Sequence, residues 1–259
     1  MNGDRHPAIT VADDRVGLLR PLALLAAGRT GAEIERLVRE ARQRARRQRR
    51  SMTWDDLEQR IREGQPRLAS ELRWRIAVHE SGHCIASLHL KLGRVRQLSI
   101  EPSETGPGFL EAEATPETMT EARAMDLLCV HLAGRAAEEV MLGDISLGPG
   151  GSAGSDLAMA TDLALRLETG VGMGSAWPLL YRDETRVPAL LFVEPGLVDR
   201  VHARLEDAFC RARRLVADHE AEVLALTDAL VRKGILEDSD IAALVAAPPA
   251  SSLSQNTPS

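Results

Sequence analysis

The stretch VHESGHCIASLHL, Val78 to Leu90, sets His79 and His83 four residues apart with Glu80 next to the first. From Leu72 to Leu92 there is no proline and the apolar face is almost continuous, which predicts one long helix with these residues inside it. On a helix the two imidazoles stand about 40° apart on one face, so both reach a single ion. Glu80 beside them is placed to accept a proton from water that such an ion activates. The plainer alternative is a pair of partly buried histidines hydrogen-bonded within a core.

Catalytic zinc sites use three protein ligands and an open position, so a third ligand is required. His89 extends the pattern toward the HExxHxxGxxH spacing of metzincins, but Ala86 stands where that pattern has glycine. Alanine continues the helix, and His89, six residues past His83, is then about 120° around the axis and points away. Glu138 and Glu139, in LAGRAAEE, are further candidates, as is Asp156, which follows the glycine-rich loop SLGPGGSAGS. A helix-start aspartate is also a favourable charge near the helix dipole and nothing more, so the residues alone leave the choice open.

Outward from this helix the chain reads as mainly α with a small edge β-sheet. Upstream, Thr30 with Glu33 caps a helix whose apolar stripe is Ile34, Leu37 and Val38. Thr53 caps a second helix that buries Trp54, Leu57 and Ile61, and Gly64 and Pro66 mark a linker. Downstream, VRQLSIEP and GFLEAEA are expected to pair as a hairpin. A helix capped by Thr120 should end near Gly143, and one capped by Ser155 should open at Asp156. The run VDRVHARLEDAFCRARRLVADHEAEVLALTDALVRKG reads as one amphipathic helix ending at Gly234, followed by a short helix from Asp238 or Ser239. The tail AAPPASSLSQNTPS has nothing to bury and is expected to be disordered.

Composition narrows the function classes. Of 259 residues 44% are hydrophobic and 27% charged, which suits a folded core. The net charge of −6 speaks against a nucleic-acid binder. Eight arginines crowd Arg36 to Arg50, but Glu33, Glu35 and Glu40 accompany them at helical spacing, as on a solvated helix face. Cys84, Cys129 and Cys210 form no CxxC pair and are odd in number, which fits a reducing cytoplasm. The early run GLLRPLALLAAG is broken by Arg20 and Pro21 and is too short to span a bilayer, so no integral membrane segment is expected.

Several linked segments share one order: WRIAVHESGHCIASL, LSIEP followed by GF, LAGRAAEEVMLGDIS, SDLAMATDLALRL with GVGM, and the C-terminal helical run. Together they resemble the peptidase portion of the FtsH-type ATP-dependent zinc metalloprotease family. The resemblance implies Zn2+ bound by His79, His83 and Asp156, with Glu80 as catalytic base. It makes Glu138 and Glu139 supporting residues and the strand around Leu98 to Glu101 a substrate-binding edge. Residues 30–61 resemble the last two helices of the family's AAA+ lid, while no GxxxxGK[ST] phosphate loop precedes them. The loop before Asp156 is longer than the family's, and Ser81 and Cys84 stand where the family has small alanines.

The expected organisation is a helical, AAA-lid-like segment over 1–66, a zinc metallopeptidase domain over 67–245 and a disordered tail over 246–259. The expected activity is zinc-dependent, ATP-independent hydrolysis of peptide bonds in flexible or unfolded polypeptides. The alternative is a non-catalytic zinc-binding adaptor of an AAA+ protease assembly. The sequence leaves open a homo-oligomer or a separate AAA+ partner.

Overall fold

The computed structural model describes residues 19, 22–23, 25–26, 29–63, 68–101, 108–113, 118–147, 154–180 and 194–246. The expected linker at Gly64 and Pro66, most of the glycine-rich loop before Asp156, and the tail beyond residue 246 lie outside them. The described residues fall into two compact units: those up to Ala69 together with Glu101, and Ser70–Ile100 with those from Gly108 onward.

The first unit holds α1 (Gly31–Arg47) and α2 (Trp54–Glu63). Thr30 and Glu33 close a reciprocal capping box at the start of α1. The face α1 buries is Leu37, Ala41 and Ala45, while Ile34 is exposed, so the expected stripe is shifted by one turn. In α2, Leu57 and Ile61 are buried as expected, but Trp54 is half exposed. The buried place in that first turn goes to Asp56, whose carboxylate accepts from the two terminal guanidinium nitrogens of Arg50 at 2.5 Å and from the Thr53 N–H at 2.8 Å. Arg62 donates to Glu101 at 2.8 Å within the same unit.

The second unit is built on α3 (Ser70–His89), which is buried almost continuously from Ile76 to Ser87. Against it pack α4 (Glu121–Leu142) and, further along the chain, α7 (Glu220–Lys233); α5 (Asp156–Thr169) and α6 (Leu197–Asp218) pack on α4. Thr120 caps α4 through the Arg123 N–H, and Gly143 ends it with φ +79°, a conformation that costs glycine nothing. A buried cluster of Ala160, Ala164 and Leu167 from α5, Leu197, Val201 and Ala208 from α6, and Ala124, Leu128 and Leu132 from α4 joins these three helices.

Strands β1 (Arg94–Ser99) and β2 (Phe109–Glu113) form the expected antiparallel hairpin, and β3 (Ile235–Glu237) adds to the other side of β1. The order β2-β1-β3 puts β1 in the middle. Gln97 to Ser99 are paired on both sides and the Ile100 N–H donates to the Gly234 carbonyl, so the segment Leu98 to Glu101 is not the free edge. The edge on the hairpin side is β2. Central placement also buries Gln97 and Ser99 where an edge strand would show them to water.

The long C-terminal run is two helices, with a bend at His219 (φ −119°, ψ 28°). No glycine or proline marks that bend. α6 buries Val201, Ala208, Ala212 and Val216 chiefly against α4, whereas α7 buries Val223, Leu226 and Leu230 against α3, so the two halves serve different partners. The short helix α8 (Asp238–Val245) follows as expected.

Candidate metal centre

Small residues bring α3 and α4 into close contact. A Cβ on Gly82 would sit 2.5 Å from the Ala133 carbonyl oxygen and 2.6 Å from the Ala137 Cβ, a separation that only glycine allows. From the facing helix α4, a Cβ on Gly134 would lie 2.5 Å from His79 Nε2, from His79 Cε1 and from His83 Nε2. Gly134 therefore leaves the space into which both imidazoles point. Glycine inside a helix costs roughly 1 kcal/mol relative to alanine, and this is the sequence signal that marks such a close approach.

α5 delivers the carboxylate. The Ser155 hydroxyl accepts from the Ala158 N–H at 3.3 Å and starts the helix at Asp156. Asp156 Oδ2 then lies 3.0 Å from His79 Nε2 and 3.3 Å from His83 Nε2, and the two Nε2 atoms are 3.1 Å apart. At its far end α5 is anchored by the buried Glu168, which pairs with Arg200 at 3.1 Å and with Arg204.

The outer ring nitrogens are committed elsewhere. The Val130 carbonyl can only accept, so His83 Nδ1 donates to it at 2.7 Å and turns its Nε2 lone pair inward. His79 Nδ1 donates to Glu138 Oε1 at 2.9 Å. Burial would raise the Glu138 carboxyl, but hydrogen bonds from His79, the Ser146 N–H and Arg75 hold it down at about 2, so it stays an acceptor.

Whatever stands between the two Nε2 atoms and Asp156 Oδ2 must be positive. In the metal-free chain it is a proton on His79: burial opposes that charge, yet the Asp156 and Glu138 carboxylates raise the imidazole to about 9. Burial pulls the other way on Asp156 too, but the two histidines keep it well below the ordinary carboxylate range. Two imidazole nitrogens and one carboxylate, preoriented around a gap that a methyl group would fill, fit a divalent transition ion.

Glu80 projects from the same helix as the histidines. Burial raises its carboxyl, with the charges of His83 and His79 acting against that shift. A Cβ on Gly108, the residue leading into β2, would lie 2.6 Å from Glu80 Oε1, so the start of the sheet edge runs directly beside this carboxylate. Among the other candidates, Glu138 orients His79 from outside the cluster and Glu139 pairs with Arg213 at 3.5 Å. His89, the last residue of α3, turns to Glu222 at 2.9 Å and takes no part. Sequence reading did not find Gly108 or Gly134.

The model of Peptidase family M41 matches residues 67–244. The chain belongs to peptidase family M41. The M41 match runs from just before α3 into α8 and includes His79, Glu80, His83 and Asp156. Among curated relatives, "ATP-dependent zinc metalloprotease FtsH 1" of Symbiobacterium thermophilum is 32% identical over 240 residues, covering 88% of this chain and 39% of the relative. "ATP-dependent zinc metalloprotease FtsH 2" of Sorangium cellulosum is 33% identical, with 83% and 38% covered. The FtsH of Thermus thermophilus is 32% identical, with 83% and 35% covered. The chain thus spans between a third and two fifths of the length of these M41 relatives. No helix among the described residues is long and apolar enough to cross a membrane.

Proposed function

We propose that this chain is a zinc metalloendopeptidase that hydrolyses peptide bonds in flexible or unfolded polypeptides without ATP. His79, His83 and Asp156 hold the ion and Glu80 is the general base. The observation that carries this reading is the convergence of two Nε2 atoms and one carboxylate oxygen, all 3.0–3.3 Å apart, with Glu80 beside them. When bound, zinc supplies Lewis acidity that activates water and polarises a peptide carbonyl. Glu80 takes the proton from the attacking water and passes it to the leaving amine. Its burial, which makes the carboxylate a stronger base, suits that task. A pure adaptor would need no such base.

We place the substrate on β2. An extended peptide adding as a fourth strand along Phe109–Glu113 would run past Gly108 and so past Glu80, with backbone hydrogen bonds supplying affinity that ignores sequence. We read residues 1–66 as a lid-like segment, 67–245 as the peptidase and 246–259 as a tail. The chain is open to a homo-oligomer, and folded substrates would require a separate AAA+ partner docked on the α1–α2 hairpin. Three free thiols, two of them buried, support a cytoplasmic location.

The test is cleavage of an unstructured protein by the zinc-loaded chain, without nucleotide, beside Glu80→Gln. The expected result is cleavage by the wild type and none by the variant, with equal zinc in both. Loaded wild type that cleaves no flexible substrate would sink the reading.

A further inference from the structure

We propose a second metal site, formed by His89, His219 and Glu222, that holds a zinc-class divalent ion and clips the end of α3 to the corner between α6 and α7. His89 closes α3, His219 is the bend residue, and Glu222 lies in the first turn of α7. The fold brings them together across 133 residues of sequence. His89 Nε2 lies 2.9 Å from Glu222 Oε2, and His219 Nδ1 lies 2.9 Å from Glu222 Oε1. The imidazoles stack with centroids 3.5 Å apart and planes 27° from parallel, and each presents a nitrogen to its own oxygen of the one carboxylate. One ligand atom from each of the three residues lies within 4.8 Å of the other two, as is true of His79, His83 and Asp156.

Two imidazoles and one carboxylate form a borderline-soft donor set that selects zinc-class ions over calcium or magnesium. Around a tetrahedral ion with ligand bonds near 2.05 Å, neighbouring ligand atoms stand about 3.3 Å apart, so the three ligand atoms, now within 4.8 Å of one another, must draw together and the stacked rings must turn out of parallel to face one ion. The three side chains are partly exposed, which leaves the fourth position to water. His89 is ten residues beyond His79 on a straight helix, about 15 Å along the axis, so the two ions are separate. Because the ligands come from α3 and from both sides of the bend, the bound ion stabilises the packing of α7 on α3.

The test titrates the metal-stripped full chain with Co2+, followed by its visible absorption and by metal content. Wild type should take up two equivalents, and His89→Gln and Glu222→Gln one each, with at least 100-fold weaker binding of the second. His89→Gln should keep peptide cleavage. Zinc should raise the melting temperature of Asp156→Asn but not of Asp156→Asn combined with His89→Gln. Equal uptake by wild type, His89→Gln and Glu222→Gln, all folded by circular dichroism, overturns the proposal. Failure of the first site looks different: wild type would take one equivalent and His89→Gln none.

Discussion

Gly134→Ala separates the metal centre from the helix that frames it. By propensity alone the change should stabilise α4, since alanine is favoured over glycine in a helix interior by roughly 1 kcal/mol. The site predicts a different effect. The new Cβ would lie 2.5 Å from both Nε2 atoms, whereas ordinary contact begins at 3.4 Å, so the imidazoles must retreat by nearly an ångström. They cannot do so freely, because Glu138 Oε1 and the Val130 carbonyl hold their other nitrogens. Ligand distances tolerate only about 0.2 Å of error. Losing a supporting partner of a metal ligand already costs about 10–100-fold in affinity, and displacing two ligands at once should cost at least the upper figure, about 2.7 kcal/mol. Zinc affinity measured by competition with a chromophoric chelator should therefore fall at least 100-fold, while the metal-free variant melts within a few degrees of wild type. Retention of zinc affinity within threefold would refute the reasoning.

Gly108→Ala should act on the base and leave the ion alone, because its Cβ would press on Glu80 Oε1: kcat on a flexible peptide falls at least tenfold with zinc content unchanged. Arg204→Met leaves the buried Glu168 with Arg200 and a long hydrogen bond from the Ser175 hydroxyl, and urea unfolding should show a loss of about 3 kcal/mol. The pH dependence has a definite sign. Glu138, held at about 2 against an ordinary 4.5, stabilises the fold above pH 4.5 and loses that contribution as pH falls toward 2. His79 in the metal-free chain, raised from 6.5 to about 9, stabilises fully below 6.5 and loses its contribution as pH climbs through 9. Melting of the metal-free protein should thus be highest between about pH 4.5 and 6.5, and zinc uptake at pH 7.5 should release a proton, read by calorimetry in buffers of different ionisation enthalpy.

The framework was legible where a single residue type decides a local event. Thr30, Thr120 and Ser155 cap helices as read, Gly143 ends one, and Ala86 keeps the chain helical to His89. What escaped depends on contacts distant in sequence. Nothing in AEVLALTD announces that α7 must turn onto α3, so the bend at His219 was invisible. β3 is three residues long and carries no alternation that could be recognised. Its pairing with β1 moved the open edge of the sheet from Leu98 to β2 and buried Gln97. Trp54 and Ile34 showed the same limit, since helical periodicity names a face but not where along it the partner helix lies. At the candidate site the two histidines and Glu80 are written within five consecutive residues, whereas Asp156 could be singled out only through family resemblance.

The separation of Asp156 from His83 by 73 residues orders events during synthesis. At translation rates of about 5–20 residues per second, the two histidines leave the ribosome roughly 4–15 seconds ahead of the carboxylate. For that interval the nascent chain carries a two-nitrogen half-site that exchanges ions readily. Tight capture waits until α5 has formed and its alanine face has docked on α4. On the proposed ligand set, the ion would be retained only once α5 has docked, and hydrolysis would be withheld from nascent chains that have not reached that point.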